Sequence, residues 1–281
     1  MAAKGRFTTA PNPAVGCVIS LDENIVGEGY TKPVGGNHAE IEALNMVNDP
    51  TGCSVYVTLE PCSHQGRTAP CVDALIAAGV ARVVIACEDP NPEVCGQGIQ
   101  LLKDAGIEVD CGLLEDQARA LNQGFIKRHE HGLPWVLVKM AASIDGRTAM
   151  ASGQSQWVTT PASRQDVQKL RAKSCAIITG IGTQLMDDPS LTVRITSEQL
   201  GVEDELQQPL RVVVDSQLQM QATARMLTQL GNTLIATLDG ESQREKSAAL
   251  VAAGAEVAFL PAHGEHVDLY ALLKELAERQ C

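Results

Sequence analysis

The chain is poor in aromatic residues, in positive charge and in long apolar runs. Two Trp, three Tyr and three Phe in 281 residues leave few platforms on which nucleic-acid bases could stack. Lys and Arg number 22 against 34 Asp and Glu, a net charge of −12. Nucleic acid and anionic membrane surfaces both require a basic footprint, which is missing. No apolar run approaches the roughly 20 residues that span a bilayer, and the opening MAAKGRFTTAPNP has no apolar signal core. Nine cysteines at irregular spacings, an odd number, suggest no disulfide framework and fit a reducing cytoplasm. No G-x-G-x-x-G follows a first strand, so the Rossmann fingerprint is absent. What remains is a cytoplasmic globular chain, 44% hydrophobic, long enough for one large or two ordinary domains. An anionic substrate would be held by local cations and amides rather than by the overall field.

Against these absences stands one dense stretch, Asn37 to Cys71. His38 and Glu40 precede apolar residues at helical spacing (IEALNMV), so they sit where a helix begins. CSVYVTL over 53–59 alternates and is β-branched, a strand that ends at Glu60-Pro61-Cys62. Pro70 and Cys71 open a second helix, which Gly79 closes. Two helix starts and one strand end can meet at a point.

One imidazole and two thiolates bind zinc and leave a fourth tetrahedral position for water, the open arrangement of a catalytic site. Two thiolates make such a zinc cluster roughly neutral, so its water is acidified less than in a three-histidine site and a proton carrier is useful. Glu40, two residues from His38, suits that task. Zinc nucleobase deaminases carry the pattern H-x-E…P-C-x-x-C. The helix start also favours Cys71 as thiolate. Taken singly, a histidine or a cysteine is more often packing, but here spacing, ligand types and carboxylate agree. His64 is the nearby candidate for a fourth ligand of a closed structural site, and iron is the alternative metal, though this ligand set favours zinc.

The chain departs from that pattern at one point: eight residues, SHQGRTAP, separate Cys62 from Cys71. With them, the stretch resembles the pyrimidine deaminase half of the bifunctional riboflavin biosynthesis deaminase-reductases. The resemblance rests on HAE, on PCSHxGRTxPC and on an NPxVG segment, here Asn12-Pro13-Ala14-Val15-Gly16. It implies zinc at His38, Cys62 and Cys71, Glu40 as proton shuttle, and substrate contacts from Asn12, His64 and Arg67.

Residues 15–20 and 24–30 read as a hairpin around Leu21-Asp22-Glu23. After the Cys53 strand and the Cys71 helix come a strand at 82–88, the loop DPNPEVCG, a helix (GIQLLKDAG) and a strand (IEVDCG). LLEDQARALNQGFIKRHEH closes the block as one helix, and Gly132-Leu133-Pro134 breaks it, which divides the chain into domains 1–132 and 133–281. His129 and His131 complement the helix dipole there rather than bind metal. Cys17, Cys53, Cys87, Cys111 and Cys175 lie in strand-like runs and are expected in the core, with Cys95 and Cys281 as loop and terminal thiols. The order of elements is an α/β layer structure, matching the cytidine-deaminase-like fold that the resemblance implies. Family members begin with a helix before NPxVG, where this chain has only a stub.

The second block opens with a strong strand signal, PWVLVKMAAS (134–143), followed by the turn signal Ile144-Asp145-Gly146-Arg147. A helix spans Pro161 to Lys173 behind Thr160, and CAIITG (175–180) is an apolar strand. Strands at 210–216, 233–238 and 256–260 alternate with helices near 242–253 and 267–280, so this is a second α/β unit. Gly180-Ile181-Gly182-Thr183 reads as a tight turn, with amides reaching a phosphate as the alternative.

KMAASIDGRTAMASGxSQW and GTxxxDDPxLTVR resemble the reductase half of the same bifunctional family, whose fold is dihydrofolate-reductase-like. The resemblance implies NADPH contacts around Ala141, Trp157, Thr183, Asp187 and Ser216, and substrate contacts at Ser155, Leu191 and Arg194, the last a phosphate partner. Lys139 is a further candidate, or a solvated edge charge. The family's reductase continues beyond Cys281 through further strands and a glycine-containing segment. The second domain is therefore expected to be truncated, with an unpaired sheet edge, an exposed apolar face and weak or absent reduction.

The expected reaction is hydrolytic deamination of a diamino-ribosylamino-pyrimidinone 5′-phosphate, then NADPH-dependent reduction of the ribosyl side chain to ribityl, in riboflavin biosynthesis. A deaminase acting on RNA or DNA is the rival enzyme, disfavoured by acidity and few aromatics, and it predicts retention on heparin or tRNA. A non-catalytic zinc-stabilised scaffold is the third reading, and it predicts that Glu40→Gln changes nothing. The expected partner is a small phosphorylated pyrimidine, with no nucleic acid and no membrane, and a homo-oligomer is left open.

Overall fold

The apolar run from Gly16 to Leu21 forms β1 in the computed structural model, which describes residues 1–66, 69–92 and 94–281. It pairs antiparallel with β2 (Asn24–Tyr30) through a turn in which Asp22 takes φ 53°. A 3-10 turn, Ala2–Phe7, precedes this hairpin. Then follow α1 (Ala39–Leu44), β3 (Ser54–Val57), α2 (Cys71–Ala77), β4 (Arg82–Ile85), α3 (Gln97–Asp104) and β5 (Glu108–Cys111). The sheet order is β2-β1-β3-β4-β5. β1 is antiparallel to β3, whereas β3, β4 and β5 run parallel with α2 and α3 as their crossovers. Val83 to Ile85 in β4 are all buried, as a central parallel strand covered on both faces requires. At Gly29 a Cβ would lie 2.2 Å from the Ala39 carbonyl oxygen, so only glycine lets α1 press onto β2. That contact fixes the start of α1, where His38 is the N-cap.

Two expectations fail in this unit. The run from Leu113 to His131 is two helices, α4 (Glu115–Leu121) and α5 (Gln123–His131), separated at Asn122. The Asn122 side chain is turned inward, accepting from the Ala14 amide at 2.8 Å and donating to the Ala14 carbonyl at 3.0 Å. Asparagine that bonds backbone outside its own helix interrupts helical geometry, and periodicity does not register it. Cys111 is exposed rather than in the core, because β5 is the sheet's edge strand.

The second unit comprises residues 136–275, and residues 276–281 group with residues 1–135. Within it α6 (Pro161–Lys173) starts at Thr160, whose hydroxyl accepts from the Ser163 amide. β6 (Ala176–Gly180) leads into α7 (Ile181–Asp187), so Gly180 to Thr183 open a helix and are not the expected tight turn. Gly180 has extended dihedrals and serves as N-cap, so no left-handed turn forms. A short α8 (Ser197–Leu200) is opened by a Thr196–Gln199 capping box. β7 (Leu210–Val214), β8 (Thr233–Leu238), α9 (Glu241–Ala252) and β9 (Ala255–Leu260) complete a parallel sheet of order β6-β7-β8-β9. A small hairpin, β10 (Ala262–His263) with β11 (His266–Val267), precedes α10 (Leu269–Glu278).

Residues 134–143, expected as a strong strand, form none. Among the described residues β6 has a neighbour on one side only, and Val138 and Met140 are 78% and 74% exposed. Alternation predicts a strand only where a ladder and a covering layer exist, and this segment has neither.

Candidate active site

The three candidate ligands of the first unit converge because two helix starts and the segment after β3 do. His38 is the N-cap of α1, Cys71 is the first residue of α2, and Cys62 follows β3 after the segment 58–61. Their ligand atoms all lie within 4.8 Å of one another. His38 Nδ1 is 3.5 Å from Cys62 Sγ and 3.3 Å from Cys71 Sγ, and the Cys71 amide donates to Cys62 Sγ at 3.3 Å. Hydrogen bonds from Cys71, and from His38, hold the Cys62 thiol far down, at about 4. Its bond to Cys62 and its burial push the Cys71 thiol up. A thiolate, a second thiol at a helix start and an imidazole within a few ångströms are a donor set that fits zinc. His64 is not part of the converging group, so among the described residues the geometry is that of three protein ligands, not a closed fourth.

Glu40 lies one helical position past Ala39 and is 3% exposed. Burial pushes its carboxyl up to about 7, which suits a group that takes and returns a proton near neutrality. The NPxVG segment is anchored on three sides. Asn122 holds Ala14, Thr31 Oγ1 accepts from the Val15 amide at 3.1 Å, and Thr58 Oγ1 accepts from the Gly16 amide at 3.0 Å. This fixes the loop that carries the half-buried Asn12, whose amide donates to the Thr9 carbonyl. His64 is exposed, and Arg67 lies outside the described residues. Two acidic residues that sequence reasoning passed over stand here as well. Asp89 is buried, and desolvation pushes its carboxyl up to about 6, with Glu60 and Cys62 adding to the rise and His64 opposing it. Glu60 is buried too. The DPNP turn was legible only as a loop, since a carboxylate's burial is a tertiary fact.

In the second unit the expected residues do not gather at one point. A cavity of about 910 Å³ brings Ser216 together with Gly180, Gly182, His263 and His266 at the ends of β6 and β7. Its size falls in the range of ligand pockets, about 300–1,000 Å³. A Cβ at Gly180 or Gly182 would meet nothing within 4 Å, so the backbone there is open to a ligand. Asp215 Oδ1, in the same wall, is buried with no hydrogen-bond partner among the described residues. Room and polar atoms thus fit part of a dinucleotide such as NADPH. A second cavity, about 430 Å³, gathers Ser155 and Trp157 with Arg147 and Met150. Thr183 and Asp187 are exposed one turn apart on α7. Ala141 and Leu191 are half-buried and Arg194 is exposed, and none of these five lines either cavity. Lys139 is an exposed charge outside any strand. Arg171, missed in the sequence, donates to the Thr192 carbonyl at 2.9 Å, and burial and the neighbouring Arg194 hold its guanidinium below the usual range.

Comparison with known proteins accounts for both units. Residues 1–87 match the cytidine and deoxycytidylate deaminase zinc-binding region, and residues 134–281 match the RibD C-terminal domain. Over its whole length the chain is 48% identical to the riboflavin biosynthesis protein RibD of Escherichia coli K12, covering 76% of that protein. With the RibD of Haemophilus influenzae it shares 51% identity over 80% of its own length and 62% of the relative's. Acinetobacter baumannii RibD superposes with a TM-score of 0.86 at 43% identity, over 99% of this chain and 75% of that one. The Thermotoga maritima diaminohydroxyphosphoribosylaminopyrimidine deaminase/5-amino-6-(5-phosphoribosylamino)uracil reductase gives 0.85 at 32% identity, again over 99% and 75%. The chain belongs to the RibD family of riboflavin biosynthesis proteins, in which a zinc-dependent, cytidine-deaminase-like domain precedes a dihydrofolate-reductase-like domain that uses NADPH.

Proposed function

We propose that the first domain, residues 1–132, deaminates a diamino-ribosylamino-pyrimidinone 5′-phosphate by hydrolysis. The second, 133–281, would then reduce the ribosyl side chain of the product to ribityl. The observation that carries the first half is the convergence of His38, Cys62 and Cys71 beside a buried Glu40. These three side chains would hold zinc, which would supply a Lewis acid to the reaction. Glu40 takes a proton from the attacking water and delivers it to the leaving amine. A carbon–oxygen bond forms, the carbon–nitrogen bond breaks, and ammonia departs. Its elevated proton affinity lets Glu40 hold the proton between the two transfers. Asn12 and His64 orient the pyrimidine, and Arg67 meets the phosphate.

For the second half NADPH supplies the hydride. Ala141, Trp157, Thr183, Asp187 and Ser216 are proposed to hold the dinucleotide, and Ser155, Leu191 and Arg194 the pyrimidine phosphate, with Arg171 as Arg194's neighbour. The protein works on a small molecule in the cytoplasm, where its cysteines stay reduced, and takes no nucleic acid.

The test is ammonia release from the diamino-ribosylamino-pyrimidinone phosphate by zinc-replete protein, parent beside Glu40→Gln. Release by the parent alone supports the assignment. Equal release by both returns Glu40 to a packing role, and none from folded parent shows the substrate to be wrong.

A further inference from the structure

Glu60 is 3% exposed, yet no cation neutralises it among the described contacts. Its carboxylate accepts three backbone N–H groups instead: Asp89 at 3.2 Å and Gly96 at 3.0 Å on Oε2, and Ile99 at 3.2 Å on Oε1. Two of these donors belong to the start of α3. A helix start leaves its first amides without partners, and a side chain of the helix's own N-cap ordinarily satisfies them. The N-cap of α3 is Gly96, which has no side chain to offer. The capping is delegated to a residue on the end of another element, and that end is the one carrying Cys62.

A second observation points the same way. A Cβ at Gly98 would lie 2.3 Å from the Pro61 carbonyl oxygen, so the first turn of α3 rests directly on the peptide that precedes Cys62. Beyond it, the Cys62 carbonyl accepts the Val72 amide of α2. Pro61-Cys62 is therefore held between a helix that presses on it and a carboxylate that ties it to that same helix.

We propose that Glu60 is the positioning residue of the metal site, acting through Cys62 by fixing the strand end to the start of α3. The proposal rests on reading His38, Cys62 and Cys71 as the metal ligands. Residues that orient metal ligands typically change metal affinity about 10–100-fold when altered. Glu60→Gln keeps the shape but turns an amide N–H₂ toward backbone donors. The expected result is zinc binding weakened about 10–100-fold and a shifted thiolate absorption band in the cobalt-substituted protein.

The experiment uses the full chain, titrating zinc against a chromophoric chelator and recording cobalt spectra for the parent and three variants. Glu60→Gln tests the anchor. Gly98→Ala pushes Pro61 away from the same helix start that Glu60 ties it to and is expected to act in the same direction. Leu102→Ala weakens α3 from its fully buried core face and is expected to lower stability alone. Parent-like affinity and spectrum in Glu60→Gln overturn the proposal, whatever its melting temperature. Equal changes in Leu102→Ala overturn it too, since general loosening of α3 then suffices. If Glu60→Gln does not fold, a shifted Gly98→Ala beside an unshifted Leu102→Ala supports the proposal, and the two behaving alike overturns it. A parent that binds neither metal overturns the ligand reading and this proposal together, whereas a metal-binding parent with an unchanged Glu60→Gln sinks only the proposal.

Discussion

Asn122 grips both backbone polar groups of Ala14 across 108 residues of sequence, accepting its N–H at 2.8 Å and donating to its C=O at 3.0 Å. The contact is buried, so neither group of Ala14 has water to fall back on. Asn122→Ala is expected to lower stability by about 2–4 kcal/mol, since two buried backbone groups lose their partner. Because Ala14 is two residues from Asn12, KM for the pyrimidine phosphate should rise while metal content stays unchanged. Urea denaturation with steady-state ammonia assays checks this. An unchanged KM would separate the anchor from the substrate loop.

The metal site gives a second expectation. A zinc site in a small domain is worth about 10–16 kcal/mol at neutral pH. Dividing that among the ligands, Cys71→Ala should forfeit about 3–5 kcal/mol, on the order of 100-fold to a few thousand-fold in affinity. Chelator treatment of the parent should abolish ammonia release, and zinc should restore it. The variant should regain activity only at correspondingly higher zinc. Full activity in chelated, metal-free protein would rule out a zinc reaction.

Asp89 supplies a pH dependence. Burial raises its carboxyl to about 6 in the folded protein, against about 3.9 in an unfolded chain. A raised folded value means that the native state holds the proton more tightly. Its contribution to stability is full below about pH 4 and is lost as pH rises through about 6. A rise from about 3.9 to about 6 corresponds to roughly 2–3 kcal/mol. Glu60, Cys62 and His64 are the charged neighbours, so the slope is best isolated as a difference. Measured in urea at pH 4 to 7, parent stability relative to Asp89→Asn should fall with rising pH. A flat difference would place the Asp89 carboxyl in water.

How much of this could be read in advance follows from range. The hairpin, the two helix starts at His38 and Cys71, and the Thr160 cap are local patterns that stand where their residues indicated, and the strand before Cys62 forms but ends earlier, at Val57. The break at Asn122 and the capping of α3 by Glu60 depend on partners 108 and 39 residues away, so no window of sequence contains them. Residues 134–143 fail for the complementary reason. Their alternation is a good strand pattern, but a strand is completed by its neighbours, and none pairs with them among the described residues. The edge position of Cys111 is likewise a property of the sheet and not of its own segment. Burial of a carboxylate, as at Asp89, leaves no sequence signal at all.

Arg171 and Arg194 stand close enough that the second lowers the proton affinity of the first. Two neighbouring guanidiniums repel, and burial of Arg171 makes that repulsion more costly. A protein that only had to fold would gain by removing one of them. A site built for a phosphate would keep both, because a doubly charged anion between planar donors makes charge-assisted bonds worth about 1.5–3 kcal/mol each. Arg194→Gln should therefore act in opposite directions on two quantities. Melting temperature should hold or rise slightly, as repulsion is relieved on an exposed side chain. Affinity for the deaminated pyrimidine phosphate should fall about 10–100-fold, measured by equilibrium dialysis, while affinity for the dephosphorylated compound stays the same. A loss of stability with unchanged phosphate affinity would make Arg194 a structural partner of α6 rather than a substrate contact.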